Sequence, residues 1–346
     1  MRRIGALVVA LALTACQSGS PIGGGTPQSA MPTGVGVGPQ STFALATPAG
    51  LFGLAADGKI LGRILDLPRG SVSSAPTLHP DGKRIVFALS DTTEALGFGS
   101  DIYSVNVDGS ELRAVVKRDK PDVFYASPSF DANGVLYAHR RSVKQDATTP
   151  GVYLQTDDII ERIDFASGRH QQVVADAAEP TVAPSGKTIV FVHIDRGQQT
   201  SMWTASTDGT QVGSFLKTDD SFTYLQAPRI SPSGQFITWS SAGRSGRTPR
   251  SVVPRQLHPS AAVVGGGGKL AHLDIPSELF VAPLDGSSLR TIATTNDDVV
   301  PAWSLDSTRI AFVASATLWV VSAADGAVVV KTPNIGVNYG DPVWLR

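Results

Sequence analysis

The chain has 346 residues, with 29 Lys and Arg against 30 Asp and Glu, a formal net charge of −1 and a single cysteine. So balanced a charge excludes the basic footprint that nucleic-acid binding requires, and one cysteine excludes an internal disulfide framework.

In chain order, Arg2 and Arg3 form a basic start, and Ile4 to Leu13 is an apolar run too short to span a bilayer. The run ends in Leu13-Thr14-Ala15-Cys16. This segment resembles the lipobox of bacterial prolipoproteins. The resemblance implies residues 1–15 as a signal peptide and Cys16 as a lipidated residue that anchors the protein to a membrane. Gln17 after the cysteine implies an outer-membrane anchor facing the periplasm where there are two membranes, and otherwise the extracytoplasmic face of the cell membrane. Loss of Arg2 and Arg3 with the leader shifts the charge to −3. Residues 16–41 are rich in Gly, Pro, Ser and Gln and cannot bury enough apolar surface to order, so a flexible tether is expected.

From residue 42 onward the sequence repeats itself. A proline with a large apolar residue two positions on recurs at Pro76/Leu78, Pro128/Phe130, Pro180/Val182, Pro228/Ile230, Pro301/Trp303 and Pro342/Trp344. An aromatic follows at Phe87, Tyr137, Phe191, Trp239 and Phe312. Between them stand turn pairs such as Asp81-Gly82 and Asn133-Gly134, whose residues tolerate positive φ. An apolar pair and a second turn come next, as in Ile102-Tyr103 before Asp108-Gly109 and Met202-Trp203 before Asp208-Gly209. Each copy therefore predicts four antiparallel strands, the content of a propeller blade. The chain begins inside a blade at Thr42 and ends on a proline strand at Asp341-Pro342-Val343-Trp344. The two pieces complete one blade. The expectation is an all-β chain: a six-bladed β-propeller over residues 42–346, closed by its C-terminal strand. Each proline strand is expected innermost, because proline cannot donate to a central ladder.

Pro76-Thr-Leu-His-Pro-Asp-Gly-Lys-Arg-Ile-Val-Phe87 and Pro228-Arg-Ile-Ser-Pro-Ser-Gly-Gln-Phe-Ile-Thr-Trp239 resemble the TolB-type propeller repeat. TolB proper also carries an N-terminal α/β domain, for which the tether is too short. The expectation is thus a TolB-like propeller lipoprotein rather than TolB itself. The repeat implies the fold and leaves the activity open.

Proline spacings of 52, 52, 48, 73 and 41 place the main insertion at 241–277, between the second and third strands of the fifth blade. Smaller ones occupy the same junction at Asp91 to Ser100 and Arg140 to Asp157. This junction opens on the face that also carries the blade-to-blade connections, and function concentrates on elaborated loops. The candidate binding face comprises Arg244, Arg247, Arg250 and Arg255 on the insertion, with Asp122, Glu179, Asp220 and Asp298 on the connections. The opposite face, carrying only tight turns, is expected to be bland.

No catalytic motif emerges. Gly265 to Lys269 is followed by Leu270 where a phosphate loop needs Ser or Thr, and there is no Gly-x-Ser-x-Gly elbow. His139 and His193 occupy matching positions in neighbouring blades and are read as structural, since a metal needs ligands at about 2 Å. No cofactor is expected. The preferred function is a non-enzymatic scaffold binding an envelope protein, peptide or wall polymer. The alternative is a metal-dependent, lactonase-like hydrolase with Glu179, Asn296, Asp298 and Asp341 at an acidic channel mouth.

Overall fold

The structure is a computed structural model describing residues 36–68, 71–90, 96–145, 153–195, 197–218, 221–245 and 276–346. Cys16 and the tether up to residue 35 lie outside these residues.

Apart from a short 3-10 turn at Gly38–Gln40, the described elements are strands. The first three are β1 (Phe43–Thr47), β2 (Gly50–Leu54) and β3 (Ile60–Asp66). Then come β4 (Val72–Leu78), β5 (Arg84–Ser90), β6 (Gly99–Asn106) and β7 (Arg113–Val116). The next set is β8 (Val123–Phe130), β9 (Leu136–Gln145), β10 (Tyr153–Ile163) and β11 (His170–Ala175). It is followed by β12 (Ala177–Val182), β13 (Thr188–Asp195), β14 (Gln198–Ser206) and β15 (Gly213–Ser214). After the short β16 (Ser221–Thr223) come β17 (Gln226–Ile230), β18 (Phe236–Ser241), β19 (Gly243–Ser245), β20 (Ser277–Pro283) and β21 (Arg290–Thr295). The last are β22 (Ala302–Trp303), β23 (Arg309–Ala314), β24 (Thr317–Ser322), β25 (Val328–Pro333) and β26 (Asp341–Trp344).

These strands make antiparallel meanders in the order the repeat predicts, and β26 pairs with β1 through Phe43↔Trp344 to Ala46↔Asp341. A short parallel pairing of β6 with β8 joins the second and third sets. The insertion starts by pairing β19 with β16, across Phe222↔Arg244.

Alternation explains why the second strands read as continuous apolar runs. In β5, Ile85, Phe87 and Leu89 pack toward β1–β3, whereas Val86 and Ala88 pack toward β8–β10. In β13, Ile189 and Phe191 face one neighbouring set and Val190 and Val192 the other. Side chains on successive residues point to opposite faces, so a strand buried on both faces has no polar positions. One apolar cluster lies between each pair of neighbouring sets, including the last set and the first. The first strands touch in the order β26, β4, β8, β12, β17, β22 and back to β26, around a common centre.

The proline strands carry a device that the sequence pattern does not show. The residue before the proline takes positive φ in four copies: Ala75 (47°), Ser127 (49°), Glu179 (49°) and Ala227 (50°). The ladder to the second strand shifts at each of these places. Such a bulge lifts the proline, which has no N–H, out of the ladder. Neighbouring first strands are then stitched together in two ways. The indole nitrogens of Trp303 and Trp344 donate to the carbonyls of Arg229 and Ala302 at 2.8 and 3.0 Å. Where Val182 and Ile230 replace tryptophan, their backbone N–H groups donate to the hydroxyls of Ser129 and Thr181 at 3.1 and 2.9 Å.

Candidate functional site

In a four-stranded meander, the junction between strands two and three opens on the same face as the link to the next set. Three large apolar side chains stand exposed on this face. Leu96 (38% exposed) and Phe98 (51%) belong to the β5–β6 junction, and Tyr224 (56%) belongs to the link between β16 and β17. The Phe98 ring meets Phe124 edge-on at 4.9 Å, which holds it at the rim instead of folding it into the core. The backbone of Asp122 locks this corner: its N–H donates to the Phe98 carbonyl and its own carbonyl accepts from Val143, both at 2.8 Å.

The sequence-derived set is only partly assembled here. Arg244 is placed beside Phe222 by the β16–β19 pairing. Arg247, Arg250, Arg255 and Asp220 lie outside the described residues. Asp298 is buried (7% exposed), as is its neighbour Asp297, so these two are not open loop charges. Glu179 turns toward the centre, where its carboxylate accepts from the Ala227 N–H of the next set. Asp341 does the same for the Ala75 N–H at 2.6 Å. Each carboxylate thus caps the bulged amide of its neighbour.

Arg229, one residue after its proline, joins these acids at the centre. The corresponding residues in the other copies are Thr77, Ser129, Thr181, Ala302 and Val343. Burial pulls the Arg229 pKa below its ordinary value, while the charges of Glu179 and Asp341 push it back up. The lone long cation in a column of small residues was the signal available in the sequence.

The acids named for a divalent ion have other partners here. Glu179 and Asp341 are committed to backbone amides, and the Arg229 guanidinium compensates their charge. Among the described residues, no group of three or more His, Cys, Asp and Glu is placed to hold a metal. The two matching histidines have different surroundings. His139, buried, contacts Asp158 at 2.7 Å, whereas His193 stacks on Trp203 at 4.2 Å. The turn face, expected to be bland, holds a cavity of about 760 Å³.

Four-stranded antiparallel sheets stacked through shared apolar clusters around a common centre define a β-propeller. No family model matches the chain. The Tol-Pal system protein TolB of Francisella tularensis is 26% identical over 191 residues, covering 53% of this chain and 38% of that protein. The chain therefore matches well under half the length of this relative. The crystal structure of TolB from Acinetobacter baumannii superposes with a TM-score of 0.58 at 15% identity, over 88% of this chain and 66% of that one. TolB from Agrobacterium tumefaciens gives 0.51 at 17% identity, over 77% and 87%. A structure of a nidogen/laminin complex gives 0.57 at 9% identity, over 87% and 97%. The chain has a β-propeller fold similar to that of the TolB structures.

Proposed function

We propose that this chain is a lipid-anchored propeller of the bacterial cell envelope whose loop-rich face binds a protein partner. In this reading the sets are six blades, and β26 closes the ring by completing the blade of β1–β3. The unbroken cycle of first-strand contacts and the apolar cluster between the last and first sets support closure. The name of the Francisella relative, a Tol-Pal system protein, supports a place in an envelope assembly.

The observation that carries the binding reading is the exposure of Leu96, Phe98 and Tyr224 on the elaborated face. Exposed aromatics beside polar loops suit a protein-binding surface, while the opposite turns, built from Asp-Gly pairs, expose the aliphatic Leu112, Val212 and Leu305 but no large aromatic among the described residues. Arg244 and its neighbours on the 241–277 insertion add groups able to grip carboxylates of a protein, a peptide or a wall polymer.

Photo-cross-linking residues placed at Phe98 and Tyr224, with Asp208 on the turn face as control, test the assignment in intact cells. Adducts to a discrete envelope protein at the first two positions, and none at the control, are expected. Equal labelling at all three positions, or none at Phe98 and Tyr224, overturns it.

A further inference from the structure

The cavity on the turn face lies between the β4–β7 and β8–β11 sets and is lined by His79, Asn133, Arg162, Phe165, Arg169 and Gln171, among others. We propose that it is a binding site for a small organic anion, a carboxylate carried on a flat ring. The site lies on the opposite face from the proposed protein-binding surface and stands independently of that reading.

Its construction follows from one hairpin and one neighbouring turn. Arg162 and Gln171 are direct cross-strand partners on β10 and β11, so their side chains share a face. Arg169 stands two residues before Gln171, just ahead of β11, and continues that face. The tight turn of the β4–β7 set brings His79 over the hairpin, with its ring 4.9 Å from both Phe165 and Phe130. Phe165 in turn meets Phe130 edge-on at 5.3 Å. Its ring also lies under the Arg84 and Arg113 guanidinium groups, at 4.9 and 5.8 Å. The result is a fixed aromatic wall with cations around it.

The charge balance selects the ligand. Arg162 and Arg169 are exposed; Arg162 interacts with the Tyr137 hydroxyl, and Arg169 feels the charge of Asp164 without a close ion pair. Of the nearby acids, Asp164 lines the cavity as an ionised carboxylate, whereas Asp81 and Glu161 are engaged by other side chains. Asp164 accepts the turn amides of Ala166 and Ser167 at 3.0 and 2.9 Å, and Asp81 is bound to Arg84 at 2.6 Å. Glu161, buried, holds His170 at 2.8 Å and Tyr125 at 3.2 Å. Burial also lowers the pKa of His79, so that this ring serves as wall rather than as charge. Two exposed guanidinium groups, opposed in the cavity wall by Asp164 alone, leave a net positive charge that matches a carboxylate by paired N–H donors. The amides of Asn133 and Gln171 supply further polar contacts, and the aromatic wall matches a ring. A volume of about 760 Å³ falls in the range of small-molecule sites.

Isothermal titration and ligand-observed NMR on the full chain test the site with three probes: phenylacetate, its uncharged analogue phenylacetamide, and acetate. Phenylacetate is expected to bind in the millimolar range or tighter, about tenfold better than either of the others. Arg162→Gln combined with Arg169→Gln changes only exposed side chains. It should bring phenylacetate down to the level of the amide without moving the melting temperature. Phe98→Ser, on the other face, should leave phenylacetate binding unchanged. Failure of phenylacetate to bind, equal binding of acid and amide, or unchanged binding by the double variant each overturns the proposal.

Discussion

Asp158→Asn isolates a buried charge network whose contribution can be worked out from its surroundings. Asp158 is 3% exposed at its side chain and accepts from His139 at 2.7 Å and from its cross-strand partner Arg141 at 2.6 Å. Burial by itself pushes the carboxyl pKa up, but the hydrogen bond from His139 and the charge of Arg141 outweigh it and hold the group at about 2 against an ordinary 3.8. A depressed carboxylate pKa means that the folded state binds its proton less readily than the unfolded chain. The stabilisation is therefore complete above the unfolded value and is lost as pH falls through the folded one. Linkage converts the shift to about 2 kcal/mol at neutral pH, with roughly half remaining at pH 3 and little at pH 2. The asparagine oxygen can still accept from His139, but as a neutral group it makes a weaker hydrogen bond. Arg141, more than a third exposed, is screened by water and adds less. The variant should lose about 2–4 kcal/mol at pH 7. Urea denaturation of both proteins at pH 7, 5 and 3 measures this. The difference should be present at pH 7 and clearly smaller at pH 3. A difference that is absent at pH 7, or that does not shrink at pH 3, refutes the reasoning.

Two further outcomes are expected. Cys16→Ser should abolish lipid labelling and release the protein from membranes or leave an unprocessed precursor; unchanged labelling and membrane fractionation refute the anchor. Deleting residues 341–346 removes the strand paired with β1, the Trp344 indole bond to Ala302, and the Asp341 cap on Ala75. The loss should exceed the point-mutation range of about 0.5–3 kcal/mol and favour aggregation through the bared edge of β1. A truncated protein that melts with the full-length chain would show that β26 does not hold the ring together.

The strands were legible because the repeat writes the same local chemistry several times over. Pro76, Pro128, Pro180 and Pro228 lie in first strands, and the aromatics Phe87, Tyr137, Phe191, Trp239 and Phe312 are all buried on second strands. The fifth turn pair, Asp306-Ser307, lacks glycine, yet Ser307 adopts φ 62°. Asp306 offsets the strain by accepting from Ser304 and from both the N–H and the hydroxyl of Thr308. The site was less legible. The connection acids were read as a mouth of open charges, but whether a loop carboxylate meets water or a backbone amide depends on the chain packed against it. Glu179 and Asp341 found bulged amides from neighbouring sets, 48 and 266 residues away.

The sequence by itself determined the repeat, the four-strand content of each copy, and the split of the chain's ends across one sheet. These follow from periodicity and turn residues, which act over a few positions. Only the tertiary structure decided which charges meet. Arg229 came to lie with Glu179 and Asp341 at the centre, and His79 came over Phe165 to wall the turn-face cavity. Both arrangements join residues from different sets, and their distances are fixed by how the sheets stack. No local pattern carries that information, because stacking is driven by non-directional burial of apolar faces, whereas the polar groups at the sheet ends take whatever partners the stack brings within reach.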